Sequence, residues 1–314
     1  MYIGASDIPV IVMGNDYPWI KLYNRKTLWL EKSGRIGPKA PDTAMDAGRL
    51  MEASLAAYAV EQVGPLKPLI GGPRLNFEVI HPNGVMRAHP SAMFDDEPLL
   101  ACFKSAGHVN PFFQRNRWGH DGDIVRSRNQ CSFVSDRNQY GFPTFSDGLM
   151  PIEYWWQAQA QLSCCWAAGW ENLEGVVMCV YLAGTDQPFR HVVVHADPKA
   201  VDELEAAACN FNDNTLVPDI APDDDLLPEA LAVLSLDDVT IGTVNEETLQ
   251  KVKTAHYAYR QTLTMTNIAK EKLDLAVAEA FNEAGPFSKI MDAHGEWIHR
   301  KTKTTFSWKI ETDD

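Results

Sequence analysis

Between Met86 and Ser105 the chain reads Met86-Arg87-Ala88-His89-Pro90-Ser91-Ala92 and then Leu99-Leu100-Ala101-Cys102-Phe103-Lys104-Ser105. The intervening Asp95-Asp96-Glu97-Pro98 has the composition of a tight turn, so the two runs are expected to pair as short strands. Side chains alternate along a strand, which puts Cys102 and Lys104 on the same face. This strand pair, with a lysine near the end of its second member, constrains the fold more than any other stretch.

The 314 residues suffice for one large domain, or a domain with an appendage, around a substantial core. A formal charge of −14 argues against non-specific nucleic-acid binding by the whole surface. A local basic groove remains compatible with it, because phosphate contacts need only a few well-placed cations. The cysteines Cys102, Cys131, Cys164, Cys165, Cys179 and Cys209 form no C-x-x-C pair and mostly sit in apolar runs. They read as reduced, buried thiols of a cytoplasmic protein. With no signal peptide evident and no apolar run near the roughly 20 residues of a membrane span, a soluble chain without membrane partners is expected.

Periodicity and punctuation give an α/β order. A short helix should follow Ser6, read as its N-cap, and stop at Gly14; a second should cover Trp19 to Lys32, and a third Thr43 to Gln62. Pro82-Asn83-Gly84 marks a hairpin between Phe77–Ile80 and Val85–Ala88. Residues 107–150 read as a polar and aromatic insert of loops with short elements. Ile152–Trp166 reads as a helix, Val176–Leu182 and His191–His195 as strands, and Pro198–Phe211 as a helix. Residues 218–245 look like a linker opened by a Pro- and Asp-rich run. Residues 246–314 read as a long helical arm followed by a β-hairpin.

Two-metal phosphodiester hydrolysis needs anionic oxygens converging on Mg²⁺ and a lysine near the attacked phosphate. Gly48-x-x-x-Glu52 places a carboxylate on one helix, and Tyr154-x-x-Gln157-x-Gln159 places amides on another. Tyr154 and Gln157, at i and i+3, share a side. Taken in order, Ile3-Gly4-Ala5-Ser6-Asp7, Gly48-x-x-x-Glu52, Met86-Arg87-Ala88-x-Pro90, Lys104-Ser105 and Tyr154-x-x-Gln157-x-Gln159 resemble the phage λ exonuclease and YqaJ viral recombinase family of PD-(D/E)xK nucleases. The resemblance covers roughly residues 1–215.

The resemblance implies a restriction-endonuclease-like core, a central mixed sheet flanked by helices. It implies a phage-type exonuclease that digests double-stranded DNA from its ends, usually 5′ to 3′, with Mg²⁺ or Mn²⁺. Double-stranded DNA ends, a single-strand annealing protein and further copies of the chain would be its partners. By position, Lys104 would be the lysine at the scissile phosphate, Glu52 a metal-site carboxylate and Gln157 the helix-borne amide. Ser6 would meet the phosphate of the DNA end.

Ser91 and Cys102 stand where the family has its metal-binding Asp and Glu. A hydroxyl is neutral and a thiol is a soft ligand, ill suited to Mg²⁺. A second reading therefore stays open: a catalytically inactive pseudo-nuclease that binds DNA ends or a recombination partner. Arg115, Arg117, Arg126 and Arg128, interleaved with aromatics in the insert, suit DNA-backbone contact, or equally an ordered flap. Cys102 is most simply a small core residue, and His89, His108 and His120 lack metal-ligand spacing.

Overall fold

Gly175–Leu182 is apolar at nearly every position, and such a strand demands cover on both faces. The chain supplies it with helices from both sides. The structure is a computed structural model that describes residues 2–20, 22–36, 43–67, 78–106, 117–137, 143–182, 188–225 and 227, with short pieces of 241–311. Its elements are β1 (Ile3–Gly4), α1 (Ile8–Met13), α2 (Arg25–Lys32), α3 (Thr43–Gln62), β2 (Val79–Ile80), β3 (Met86–Ala88), β4 (Ala92–Met93) and β5 (Leu99–Ala106). After these come β6 (Asp123–Val125), β7 (Val134–Arg137), β8 (Pro143–Phe145), α4 (Ile152–Ala167), β9 (Gly175–Leu182), β10 (Phe189–His195) and α5 (Pro198–Phe211). The last strands are β11 (Ile241–Thr243), β12 (Lys289–Met291), β13 (Trp297–His299) and β14 (Ile310–Glu311).

The chain divides into two units, Met1–Ile20 with Ala40–Asn214, and Lys21–Lys39 with Thr215–Asp314. The first is a mixed α/β unit whose five-stranded sheet has the order β4-β5-β9-β10-β6. β4 and β5 are antiparallel, β5 and β9 parallel, β9 and β10 antiparallel, and β10 and β6 parallel. One face is covered by α3, where Leu55 and Ala59 are buried with Ala92, Phe94, Ala101, Val177 and Cys179. The other is covered by α4, which packs on β9 and is backed by α1 and α5. This is the expected mixed sheet between helices. The small sheet β1-β3-β2 includes the expected hairpin.

Two local expectations are corrected. The position before α1 is Asp7, whose Oδ2 accepts from Gly4 N at 2.8 Å, while Ser6 is exposed in the preceding turn and is not the N-cap. α2 starts at Arg25 instead of Trp19, because Asn24 is extended and its Oδ1 caps the helix by accepting from Thr27 N at 2.9 Å. The insert carries the short elements expected of it: β6 forms an edge of the main sheet, and β7 pairs with β8.

In the second unit, acidic residues of the Pro- and Asp-rich run dock on α2. Arg25 Nε meets Asp224 Oδ2 at 3.0 Å, Asn24 Nδ2 donates to Asp225 O at 2.7 Å, and Arg35 grips Asp219 at 2.6 Å. The expected terminal hairpin is β13 with β14, extended by β12 and β11 into a four-stranded sheet. Most of the expected long helix, 246–284, lies outside the described residues.

Candidate functional site

β4 and β5 pair with Ala92 opposite Ala101 and Met93 opposite Leu100. Ser91 precedes β4 in a bend and is held to the edge of β5 by its own hydrogen bonds. Ala92 and Ala101 belong to the core under α3, so alternation turns Cys102 and Lys104 toward α4. Ser91 N donates to Ala101 O at 3.0 Å, and Ser91 Oγ accepts from Phe103 N at 3.1 Å. The hydroxyl therefore has a lone pair engaged while its own proton is free to donate.

From α4, Gln161 Nε2 donates to Cys102 Sγ at 3.6 Å, and Gln161 Oε1 is buried with no hydrogen-bond partner. One turn past the helix start, the Tyr154 ring lies 5.4 Å from Lys104 Nζ and stacks on Trp118 at 5.5 Å between centroids. Helical spacing places Gln157 on the same stripe as Tyr154 and Gln161, between the contacts of Lys104 and of Cys102. Burial, then the charge of Glu153, pushes the Tyr154 hydroxyl up to about 12, so it stays protonated beside the lysine.

Three of the expected positions, Cys102, Lys104 and Gln157, thus share one side of the sheet, and Ser91 adjoins them at the edge of β5. Glu52 belongs to α3, on the other side. It is half-buried on the flank of the stripe formed by Met51 and Leu55, and no hydrogen bond or ion pair among the described residues joins it to Ser91, Cys102, Lys104 or Gln157. Gln159 is structural: its Nε2 donates to His195 O at 2.9 Å and its Oε1 accepts from Asp197 N at 2.9 Å, tying α4 to the start of α5.

The arginines separate. Arg117 is 1% exposed and is not available to touch a DNA backbone in this conformation. Its guanidinium pairs with Glu153 at 2.5 Å, donates to Ser132 Oγ at 3.3 Å and lies 3.8 Å from the Phe145 ring centroid. Arg126 is exposed; Arg128 is exposed and pairs with Glu203 at 3.2 Å. Arg115 lies outside the described residues.

Sequence reasoning missed Arg190. Lys104 is in register with Val180, and Val180 with Arg190, so Lys104 and Arg190 stand in one row on one face, two strand spacings or about 9–10 Å apart. Arg190 Nη1 donates to the carbonyls of Trp118 and Gly119 at 2.9 and 3.0 Å, and its Nε is buried without a partner. Only the strand register reveals this alignment.

The donor set does not fit Mg²⁺ or Mn²⁺. Hard divalent ions take anionic or carbonyl oxygens, whereas these positions present a neutral hydroxyl, a thiol and an ammonium. Among the described residues, no group of three or more His, Cys, Asp or Glu side chains comes together to hold a metal. No helix of the described residues is long and apolar enough to cross a membrane.

No protein-family model matches the chain, and no curated protein matches it. Among solved structures it is similar to an alkaline exonuclease (LHK-Exo) from Laribacter hongkongensis, at 15% identity and a TM-score of 0.43 over 70% of this chain and 89% of that one. The same enzyme in complex with dAMP gives 16% identity and a TM-score of 0.45 over the same shares. A phage-related exonuclease from Haemophilus somnus 129PT gives 12% identity and a TM-score of 0.42 over 69% of this chain and 96% of that one.

Proposed function

We propose that this protein binds the ends of double-stranded DNA on a nuclease-type scaffold and does not cut through the usual carboxylate and metal arrangement. What supports this reading is that Cys102 and Lys104 alternate onto one face of β5 while Ser91 is hydrogen-bonded to the same strand through Ala101 O and Phe103 N. In the family that the motif order resembles, the positions of Ser91 and Cys102 hold the metal carboxylates. The scaffold that aims the lysine is retained, and the charge that would hold the ion is gone. Hydrolysis of a phosphodiester then lacks both its Lewis acid and its means of activating water.

The test is incubation with linear 5′-phosphorylated duplex and Mg²⁺ or Mn²⁺. Retained end binding without nucleotide release is expected. Release that disappears in Lys104→Ala and in Glu52→Ala would establish an active exonuclease and overturn the reading. Ser91→Asp combined with Cys102→Glu restores the missing ligand types, and nucleotide release gained by that variant alone would support it.

A further inference from the structure

We infer that Lys104 and Gln157, with Ser91 at the adjoining edge of β5, take a phosphate group of DNA directly, without a divalent cation. This deepens the DNA-binding reading and rests on it. With Asp and Glu at positions 91 and 102, two carboxylates and one lysine would sum to one negative charge, which repels a phosphate until a cation neutralises it. With Ser91 and Cys102 the same three positions sum to one positive charge.

The hydrogen-bonding chemistry changes in the same direction. Lys104 Nζ offers donors only; its one contact among the described residues is the face of Tyr154, which leaves its charge unpaired by any acid. Ser91 Oγ accepts from Phe103 N with one lone pair and keeps its proton to donate. Gln157 adds an amide whose two N–H groups can donate, on the helix stripe facing the strand. Glu52 is on the helix that covers the opposite face. A lysine charge and neutral donors with no carboxylate among them suit the oxygens of a phosphate, while the uncharged amide oxygens of Gln157 and Gln161 do not offset the ammonium for a cation.

Fluorescence anisotropy with a short 5′-phosphorylated duplex, in excess EDTA and in MgCl₂ at matched ionic strength, decides the matter. The expected result is binding in EDTA within about twofold of that in Mg²⁺, with Lys104→Gln weakening it and reducing the slope of log affinity against log salt by about 0.9. Ser91→Asp with Cys102→Glu is expected to bind about tenfold more weakly in EDTA and to regain affinity when Mg²⁺ is added. Because Cys102 is buried and a glutamate there can unfold the chain, Ser91→Asp alone is measured beside it, after a thermal melt confirms folding. Wild-type binding that requires Mg²⁺ overturns this inference and leaves the DNA-end reading standing. No binding in any buffer overturns both.

Discussion

Arg117 and Glu153 form an ion pair in the interior, with side chains 1% and 8% exposed. Glu153 also accepts from Trp19 Nε1 at 3.3 Å, and Ser132 passes its own hydroxyl proton to Met150 O at 3.3 Å while receiving Arg117. The insert, the first turn of α4 and the segment after α1 are thereby joined through two charges. Removing either partner leaves the other charge buried and uncompensated, which costs about 3–5 kcal/mol. Arg117→Ala and Glu153→Ala are each expected to lose that much in urea unfolding. Arg117→Met with Glu153→Leu is expected to recover most of it, since an apolar pair of similar volume leaves no charge uncompensated and releases only Trp19 Nε1–H and one lone pair of Ser132. Arg117→Ala protein that still folds is expected to keep the wild-type salt dependence of DNA binding. A reduced slope would put Arg117 on the DNA after all.

Gln159 supports a second prediction. Its amide bridges a carbonyl at the end of β10 and an N–H ahead of α5, and it is fully buried. Gln159→Ala strands both backbone groups, at about 1–3 kcal/mol for each unsatisfied group. Thermal and urea unfolding should both report that loss. Gln159→Glu is expected to behave nearly as badly, because a carboxylate can still accept from Asp197 N but cannot donate to His195 O. Full stability in the Glu variant would sink the bridging account.

Much of this arrangement was legible in the chain, and the parts that were not share a cause. α3 agrees with its apolar spacing, α4 and β9 lie within a residue or so of their expected bounds, and Cys102 and Lys104 share a face because strand alternation is a local rule. The start of α2 was misplaced because the Asn24 cap outweighs the apolar residues that precede it. Arg117 read as a DNA-backbone contact or part of a flap because its partner, Glu153, lies 36 residues onward and only the fold brings them together. The alignment of Arg190 with Lys104 depends on two strand registers, which no local pattern encodes. The membership of Lys21–Lys39 in the C-terminal unit is equally non-local, resting on pairs such as Arg25 with Asp224.

A pH dependence follows from His191. Burial lowers its pKa below the ordinary 6.5, and Asp121, whose Oδ1 is 3.8 Å from His191 Nδ1, opposes the shift without cancelling it. Tyr58 faces the same ring at 3.1 Å and stays protonated, its hydroxyl donating to Asp121. The unfolded chain therefore binds a proton at this residue more readily than the folded one. Its contribution to stability is complete above about pH 6.5 and is lost as pH falls from there through the lower, folded-state value. Urea midpoints measured from pH 7.5 to 5 should show this decline, and His191→Phe should flatten that part of it. An unchanged slope in the variant would mean that other groups carry it.

Thiol reactivity tests the burial of the site itself. Burial pushes Cys164 and Cys179 up to about 12 and raises Cys131 and Cys165 as well, so almost none of these is thiolate near neutrality. Cys102 is 2% exposed, set between its strand neighbours and Gln161. Cys209 is the one thiol of the six that is partly exposed, although burial and then Asp213 and Glu205 raise it too. Iodoacetamide at pH 8 is therefore expected to modify Cys209 first in the folded protein, and slowly, while all six react in denaturant; intact-mass and peptide analysis would count the adducts. Cys102 should stay unmodified with or without duplex DNA, because the phosphate is held by the donors that surround it and not by the sulfur. Rapid native labelling of Cys102 would mean that the strand face under α4 is open to solvent, and the donors around Cys102 could not then shape a defined anion site.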